Sequence, residues 1–568
     1  MRYTNVILLC FCCHFVQART VYVSPKGNDR AKGDHPSHAL RSINTAIGFA
    51  GSGDTVLLLE GIYKETIRII ARKGETEKPV IISGKNSRTI IDGGAPQPGM
   101  DLKHHWIELE NTSWIVFENI SFTNGWTDPV RVNNSSYISF RNCRFNGGRK
   151  VILATGANTH HVLVEDCYWD QGGNKLWKLD KDIRGVDAWL SMHHELMGYY
   201  NGSLIDSRAS GGSFVIRRNK ITNAYNGIRF TSKKGFDANI EVYENDISNI
   251  RDNDFEPEHY AFNLHIYHNR SHNIHKTLSV DDVAGGYIYY YGNTITMDST
   301  PWAKKICSGF SKIYGGVDSL TYPLYFFNNS FFGYGKAFNA MEHTARMLKH
   351  FNNAYYFAGD HGFVLEYIDP TNAFDNDVSN KPWPKNISFS KLERNGVVGD
   401  VRFRNVFKRD LHLLPGSAAI DAGKQMIFPE LGWQQSFTGK TVDAGAYENN
   451  ELTEGPAFRF RKPENAAFDY TETPRIVRYK TDGNKLHLFF SDSMDAGSLS
   501  VAGIQIYCKQ KAANIKNTVL SESGYEWIIE TTEVLSKNEV AVCFTKLPVS
   551  THGGVYTNWA AAIPIIHK

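Results

Sequence analysis

Cysteine is scarce in this chain of 568 residues: eight in all, with Cys10, Cys12 and Cys13 inside the first thirteen positions. The remainder, Cys143, Cys167, Cys307, Cys508 and Cys543, is odd in number and widely spread. A disulfide framework is therefore excluded as the basis of the fold. Basic runs are lacking as well; the formal net charge is +3 and charged residues make up 21%. With no stretch able to track a phosphate backbone, nucleic acid is excluded as an expected partner. After the N-terminus no apolar run approaches the roughly 20 residues needed to cross a bilayer, so no membrane span is expected. A dense leucine frame is missing, which sets aside leucine-rich repeats. His193-His194-Glu195 is not a zinc-protease motif, because Gly198 stands where its second histidine belongs.

What is present begins with Arg2, an apolar stretch from Val6 to Val16 and the small-residue exit Val16-Gln17-Ala18. This is the pattern of a secretory signal, with cleavage expected after Ala18, and it predicts a secreted protein, here expected as a monomer.

Beyond it the chain repeats. An apolar-x-Asn unit recurs at Asn119, Asn142, Asp166, Asn219, Asn245, Asn269, Asn293, Asn329 and Asn353, with a period near 24. Two longer gaps mark insertions, at about residues 172–211 and 298–320. Each unit opens with an alternating strand, such as Trp114–Phe117, Tyr137–Phe140 or Ile240–Tyr243. Coils of this length with asparagine at a fixed corner predict an all-β, right-handed parallel β-helix whose asparagines stack as a structural ladder. Cys143 and Cys167 follow the ladder position one coil apart, as stacked free thiols or, alternatively, a disulfide between coils. Leu40–Ala50 reads as an amphipathic helix that caps the open end of the solenoid.

The opening Val21–Asp29, Leu40–Ala50 and Gly53–Tyr63, with the closing segments Leu411–Gly423 and Val442–Glu448, resembles secreted bacterial right-handed β-helix proteins, among them polysaccharide lyases and glycosidases. The resemblance covers roughly residues 20–450 and implies the fold more firmly than the reaction. Residues 451–473, rich in charge and proline, read as a linker. From 474 to 568, short alternating strands at Lys485–Phe490, Gly503–Tyr507, Tyr525–Ile529 and Val540–Phe544 predict a small β-sandwich. Leu486–Asp495 resembles bacterial Ig-like modules. The expected organisation is a signal at 1–18, a β-helix at 19–450, a linker at 451–473 and a sandwich at 474–568.

The candidate site is Arg251–Glu258, where Asp252, Asp254, Glu256 and Glu258 occupy every second position. On a strand, alternate side chains share a face. Counting from the ladder places Asp254, Glu256 and Glu258 outward, beside Arg229 on the coil before and Asp281 and Asp282 on the coil after. Pro257 implies a local bulge. His259 and His275 flank the strand as candidate acid or base. Lys233 reads first as part of a turn and alternatively as a contact for an acidic sugar; Trp177 and Trp189, in the long insertion, either stack on sugars or pin the insertion to the helix.

Paired carboxylates suit glycoside hydrolysis, with Glu256, Glu258, Asp254, Asp281 and Asp282 as the catalytic candidates and no cofactor required. That is the preferred expectation. The alternative is a Ca²⁺-dependent polysaccharide lyase. Gly227–Arg229 followed by Asp254–Glu258 looks like the β-helix alginate and chondroitin lyases, which implies Glu256 and Glu258 as calcium ligands; in this alternative Asp281 is counted as a further ligand. The residues after Glu258 depart from that family, since His259–Asn263 contains no lysine and Ser279–Asp282 no arginine. A non-catalytic glycan-binding protein is the third reading. In each, the partner is a polysaccharide or oligosaccharide.

Overall fold

The structure is a computed structural model. It describes residues 18–548 except 73–77, 97–104, 157, 173–199, 232–237, 281–282, 300–308, 314–322, 335, 341–346, 361, 363–372, 384–392, 429–432, 449–450, 453–475, 491–493, 510, 537–538, 545 and 547. The expected signal up to Gln17, most of the expected linker (453–473), Trp177, Trp189, His193 to Glu195, Lys233, Asp281 and Asp282 lie outside the described residues.

From Thr20 to Val398 the strands pair only in parallel, in one 14-stranded and one 21-stranded sheet. Each coil contributes one strand to the first sheet, turns at the ladder corner, and then supplies the second sheet. Ala238–Tyr243, for example, pairs with Tyr260–Tyr267 of the next coil, while Asp246–Glu258 pairs with Arg270–Val280. The chain is a parallel β-helix. Its inward side chains form one continuous core, including Phe117 stacked on Phe140 at 5.4 Å and Tyr290 on Phe326 at 4.7 Å. Burying each such ring stabilises the fold by about 2–3 kcal/mol.

The cap is shorter than the amphipathic pattern predicts. The helix runs Ile43–Phe49, with the Ser42 side chain accepting from the Thr45 amide and Ile43, Ala46 and Ile47 buried. Glu65 reaches its first turn and accepts from the Ile43 amide at 2.6 Å, a carboxylate set on the positive end of the helix.

The ladder follows a different register from the sequence count at its N-terminal end. The inward corner residues are Ile120, Cys143 and Cys167, and then Asn219, Asn245, Asn269, Asn293, Asn329, Asn353 and Asp377. Asn119, Asn142 and Asp166 stand one residue earlier, at the left-handed turn position, with φ of 58°, 46° and 54°. Asparagine tolerates that conformation, and so produces the same motif for a second reason. The two buried thiols are free, and they take the donor role of asparagine. Cys143 Sγ donates to the Phe117 and Arg141 carbonyls, as Asn245 Nδ2 does to those of Ile216 and Tyr243.

Residues after 475 form two antiparallel sheets. Ile476–Asp482, Lys485–Phe490, Glu526–Thr531 and Ile515–Leu520 make one; Lys511–Ala513, Ile504–Cys508 and Val540–Phe544 make the other. Ile476, Leu486, Leu488, Trp527 and Ile529 of the first share a core with Ile504, Ile506, Val540 and Val542 of the second, which makes a small sandwich.

Candidate active site

The acidic strand lies where the coil count puts it. Ile228, Arg229, Phe230 and Thr231 pair with Phe255, Glu256, Pro257 and Glu258 in unbroken register. Ile228, Phe230 and Phe255 are fully buried in the core, so Arg229 and Glu256 share the outer face. Pro257 causes no bulge and sits opposite Phe230. The irregularity falls earlier, between Ile250 and Asn253, where the strand turns from one face of the coil to the next.

That irregularity overturns the outward placing of Asp254. The residue is completely buried, and its Oδ2 accepts from Ser271, which occupies the inward column between Ile247 and Ile295. Its Oδ1 has no hydrogen-bond partner among the described residues. Burial pushes the Asp254 carboxyl well above the usual carboxylate range, against the pull of the Ser271 hydrogen bond. Gly227 explains the fit, since a Cβ there would stand 2.9 Å from Asp254 Oδ1. Asp254 is thus an interior acid, removed from any groove.

Glu256 makes the central ion pair. Arg229 Nε lies 2.9 Å from Glu256 Oε2, which also accepts from Asn226 Nδ2 at 2.7 Å. Arg229 Nη1 donates to Asn201 Oδ1 at 2.7 Å, and its Nη2 stands 3.8 Å from Glu258. Burial opposes the charge of Arg229, but Glu256, Asp206 and Glu258 outweigh it and hold the guanidinium protonated. Burial, with Glu258 alongside, pushes the Glu256 carboxyl upward against the pull of Arg229. Glu258 is the more open acid, its side chain 15% exposed against 4% for Glu256.

His275 is mostly buried, with Nδ1 3.8 Å from Asp252 Oδ1. Burial lowers its pKa to about 4, so it is neutral near pH 7. His259 is exposed just past the strand, with φ 66°.

Register also reveals residues that spacing missed. Asp206, Arg229 and Glu256 pair in succession across three coils. The register Phe255↔Leu278, continued by one residue, sets Ser279 against Glu256, and Ser279 in turn pairs with Lys312. One column therefore reads Asp206, Arg229, Glu256, Ser279, Lys312 at a coil spacing of about 4.8 Å. Lys312 was hidden because residues 298–320 read as an insertion; its strand, Gly309–Ile313, pairs in register with the coils before and after it but comes later in the chain than the period predicts. At the other end, Lys150 Nζ lies 3.9 Å from Asp206 Oδ2, and burial lowers its pKa to about 8.

Among the described residues no group of three or more His, Cys, Asp or Glu side chains is placed to hold a metal ion. Arg229 and Asn226 occupy Glu256, which leaves Glu258 as the carboxylate of this strand best able to take a cation. Ser279 Oγ, fully buried beside it in the column, has no hydrogen-bond partner among the described residues.

No family model matches the chain. It is similar to pectate lyase L of Thermoclostridium stercorarium, 25% identical over 157 residues, which cover 26% of this chain and 12% of that protein. It is also similar to pectate lyase PEL9 of Emericella nidulans, 36% identical over 87 residues, covering 15% and 20% respectively. The matches thus span a fifth or less of those relatives' length. Among solved structures, pectate lyase Pel9A aligns with a TM-score of 0.41 and 12% identity over 76% of this chain and 96% of that one. The PL6 family alginate lyase AlyGC aligns with a TM-score of 0.43 and 12% identity over 70% and 55%. These findings correct the preferred chemical reading: both relatives matched in sequence are polysaccharide lyases, and the glycoside hydrolase expectation is withdrawn.

Proposed function

We propose that the protein is a polysaccharide lyase that cleaves an acidic glycan by β-elimination, with pectate and alginate as the first substrates to test. The observation that carries this reading is the charged column on consecutive coils, Arg229, Glu256, Ser279 and Lys312.

Elimination beside a uronate carboxylate needs two things. A positive group must neutralise the carboxylate so that the C5 proton becomes acidic, and a base must take that proton. The electron pair then forms the C4–C5 double bond, the C4–O bond breaks, and the departing oxygen takes up a proton. Arg229 is a permanent cation on this face, held by Glu256 and Asn201. Lys312 is the base in this reading, its register position two coils beyond Glu256.

Calcium suits the remaining donors, which are hard oxygens. Glu258 and Asp281, with the unpartnered Ser279 hydroxyl, would hold it. When bound, the ion adds positive charge against the substrate carboxylate. The other elements of the reading are export through residues 1–18 and an accessory sandwich at 474–568, joined to the 19–450 β-helix by the 451–473 linker.

The test is a panel of acidic and neutral glycans, read by ultraviolet absorbance of unsaturated ends and by reducing ends. The expected result is unsaturated product from an acidic glycan, lost in Lys312→Ala while the fold persists. Reducing ends without unsaturation, or binding with no cleavage across the panel, would overturn the reading.

A further inference from the structure

His160 and His161 are consecutive residues of the strand His160–Glu165 in the 14-stranded sheet, on the opposite sheet from the acid column. Neighbouring strand residues ordinarily point to opposite faces. His161, however, has φ 54°, a left-handed backbone. It swings His160 out of the inward set formed by the fully buried Val162 and Val164, and both histidines are partly exposed. The two rings meet at 79° and share a hydrogen bond, Nδ1 to Nδ1 at 2.6 Å, whose proton a metal ion would displace.

The rings are braced from behind. Tyr137 stacks on His161 at 4.6 Å and presents its edge to His160 at 5.7 Å, and Trp114 stacks on Tyr137 at 4.1 Å. Trp114 and Tyr137 share the left-handed backbone of His161, with φ of 62° and 55°. Ser213, at the same position of the next coil, has φ 58°, so this left-handed step is a repeated feature of the solenoid that sets the two rings side by side.

Two imidazole nitrogens converging from perpendicular, immobilised rings form half of a metal-binding square. With metal–nitrogen bonds of about 2.0–2.1 Å, ligands at a right angle lie about 2.9 Å apart and tetrahedral ones about 3.3 Å. The observed 2.6 Å is nearer the first. Nitrogen ligands at right angles suit Cu²⁺ or Ni²⁺, and tetrahedral sites suit Zn²⁺.

We propose that His160 and His161 form a two-imidazole site for a tetragonal divalent ion, Cu²⁺ or Ni²⁺, with water in the remaining positions. Copper stands at the top of the affinity order for such ligands. The site is independent of the acid column and of calcium, which prefers oxygen.

The test is calorimetric titration of the untagged full chain with CuCl₂, NiCl₂, ZnCl₂ and CaCl₂, together with electron paramagnetic resonance of the copper form. The expected result is one Cu²⁺ per chain at this site, with coupling to two nitrogens, Ni²⁺ weaker and Ca²⁺ without effect. His160→Ala and His161→Ala should each weaken it at least tenfold while thermal unfolding shows the fold retained; His160→Asn serves should either alanine variant fail to fold. Unchanged copper binding in the variants, or none in the parent, overturns the site. Zn²⁺ binding as tight as Cu²⁺ overturns the tetragonal assignment.

Discussion

Removing the Asn269 side chain measures what the ladder contributes. Asn269 is fully buried, and its Oδ1 accepts from the Asn245 amide at 3.0 Å and from Asn245 Nδ2 at 2.9 Å. Its own Nδ2 donates to the Val242 carbonyl and to Asn293 Oδ1, each at 3.0 Å. Asn269→Ala therefore strands the Asn245 amide, a buried donor left without its acceptor, at about 1–3 kcal/mol. The other bonds matter less, because Asn245 Nδ2 keeps the Ile216 and Tyr243 carbonyls and Asn293 Oδ1 keeps the Asn269 amide. A total of about 2–4 kcal/mol follows, a large part of the usual 5–15 kcal/mol of a folded domain.

Urea unfolding at unchanged slope measures this loss. Cys143→Ala is the internal control: it occupies the same corner but offers only a weak thiol donor at 3.4 and 3.6 Å, and should cost about 1 kcal/mol. If Asn269→Ala costs no more than Cys143→Ala, the ladder is not a source of stability and the reasoning fails.

Three further outcomes are expected. Arg229→Ala leaves Glu256 buried without its ion pair and should destabilise by about 3 kcal/mol, much of it recovered in Arg229→Ala/Glu256→Gln; a double variant no better than the single one would refute the pairing. Asp254→Asn should stabilise at pH 7 and much less at pH 4. Between the unfolded value near 4 and its raised folded value, the native acid binds the extra proton, so wild-type stability falls as pH rises by up to about 1.4 kcal/mol per unit, and an equal gain at both pH values would count against the buried protonated acid. Chelation should suppress unsaturated-product formation and added Ca²⁺ restore it; full activity in chelator would leave Arg229 as the neutralising charge and remove calcium from the reading.

The solenoid was legible because its signals repeat. A period near 24, an alternating strand in each unit and a polar corner residue express one physical demand, inward apolar stacking, many times over. The ladder offset shows where repetition misleads. Asn119 and Asn142 satisfy the motif through left-handed turns, while Cys143 and Cys167 do the ladder's donating. Asparagine serves both purposes, so residue type cannot separate them; only the hydrogen-bond partners do. Lys312 escaped for the opposite reason, because its regularly paired strand comes later in the chain than the count allows.

The acidic strand shows the limit at the scale of one residue. Asp254 and Glu256 have the same spacing, the same chemistry and the same apparent face in the sequence. An irregularity between Ile250 and Asn253 sends Asp254 into the core, where Ser271 receives it, and leaves Glu256 outside against Arg229. Alternation predicts facing only while pairing is regular, and a one-residue shift reverses it. Beyond the irregularity the register with the Ile228–Thr231 strand is unbroken, and the outward column runs from Asp206 through Arg229 to Glu256. It follows that the outward charge here comes from Arg229 on one strand and Glu258 on the next, while Asp254 is an interior group whose carboxyl burial pushes upward. Neutralising Asp254 should then leave catalysis intact and change stability alone, whereas neutralising Glu258 should do the reverse.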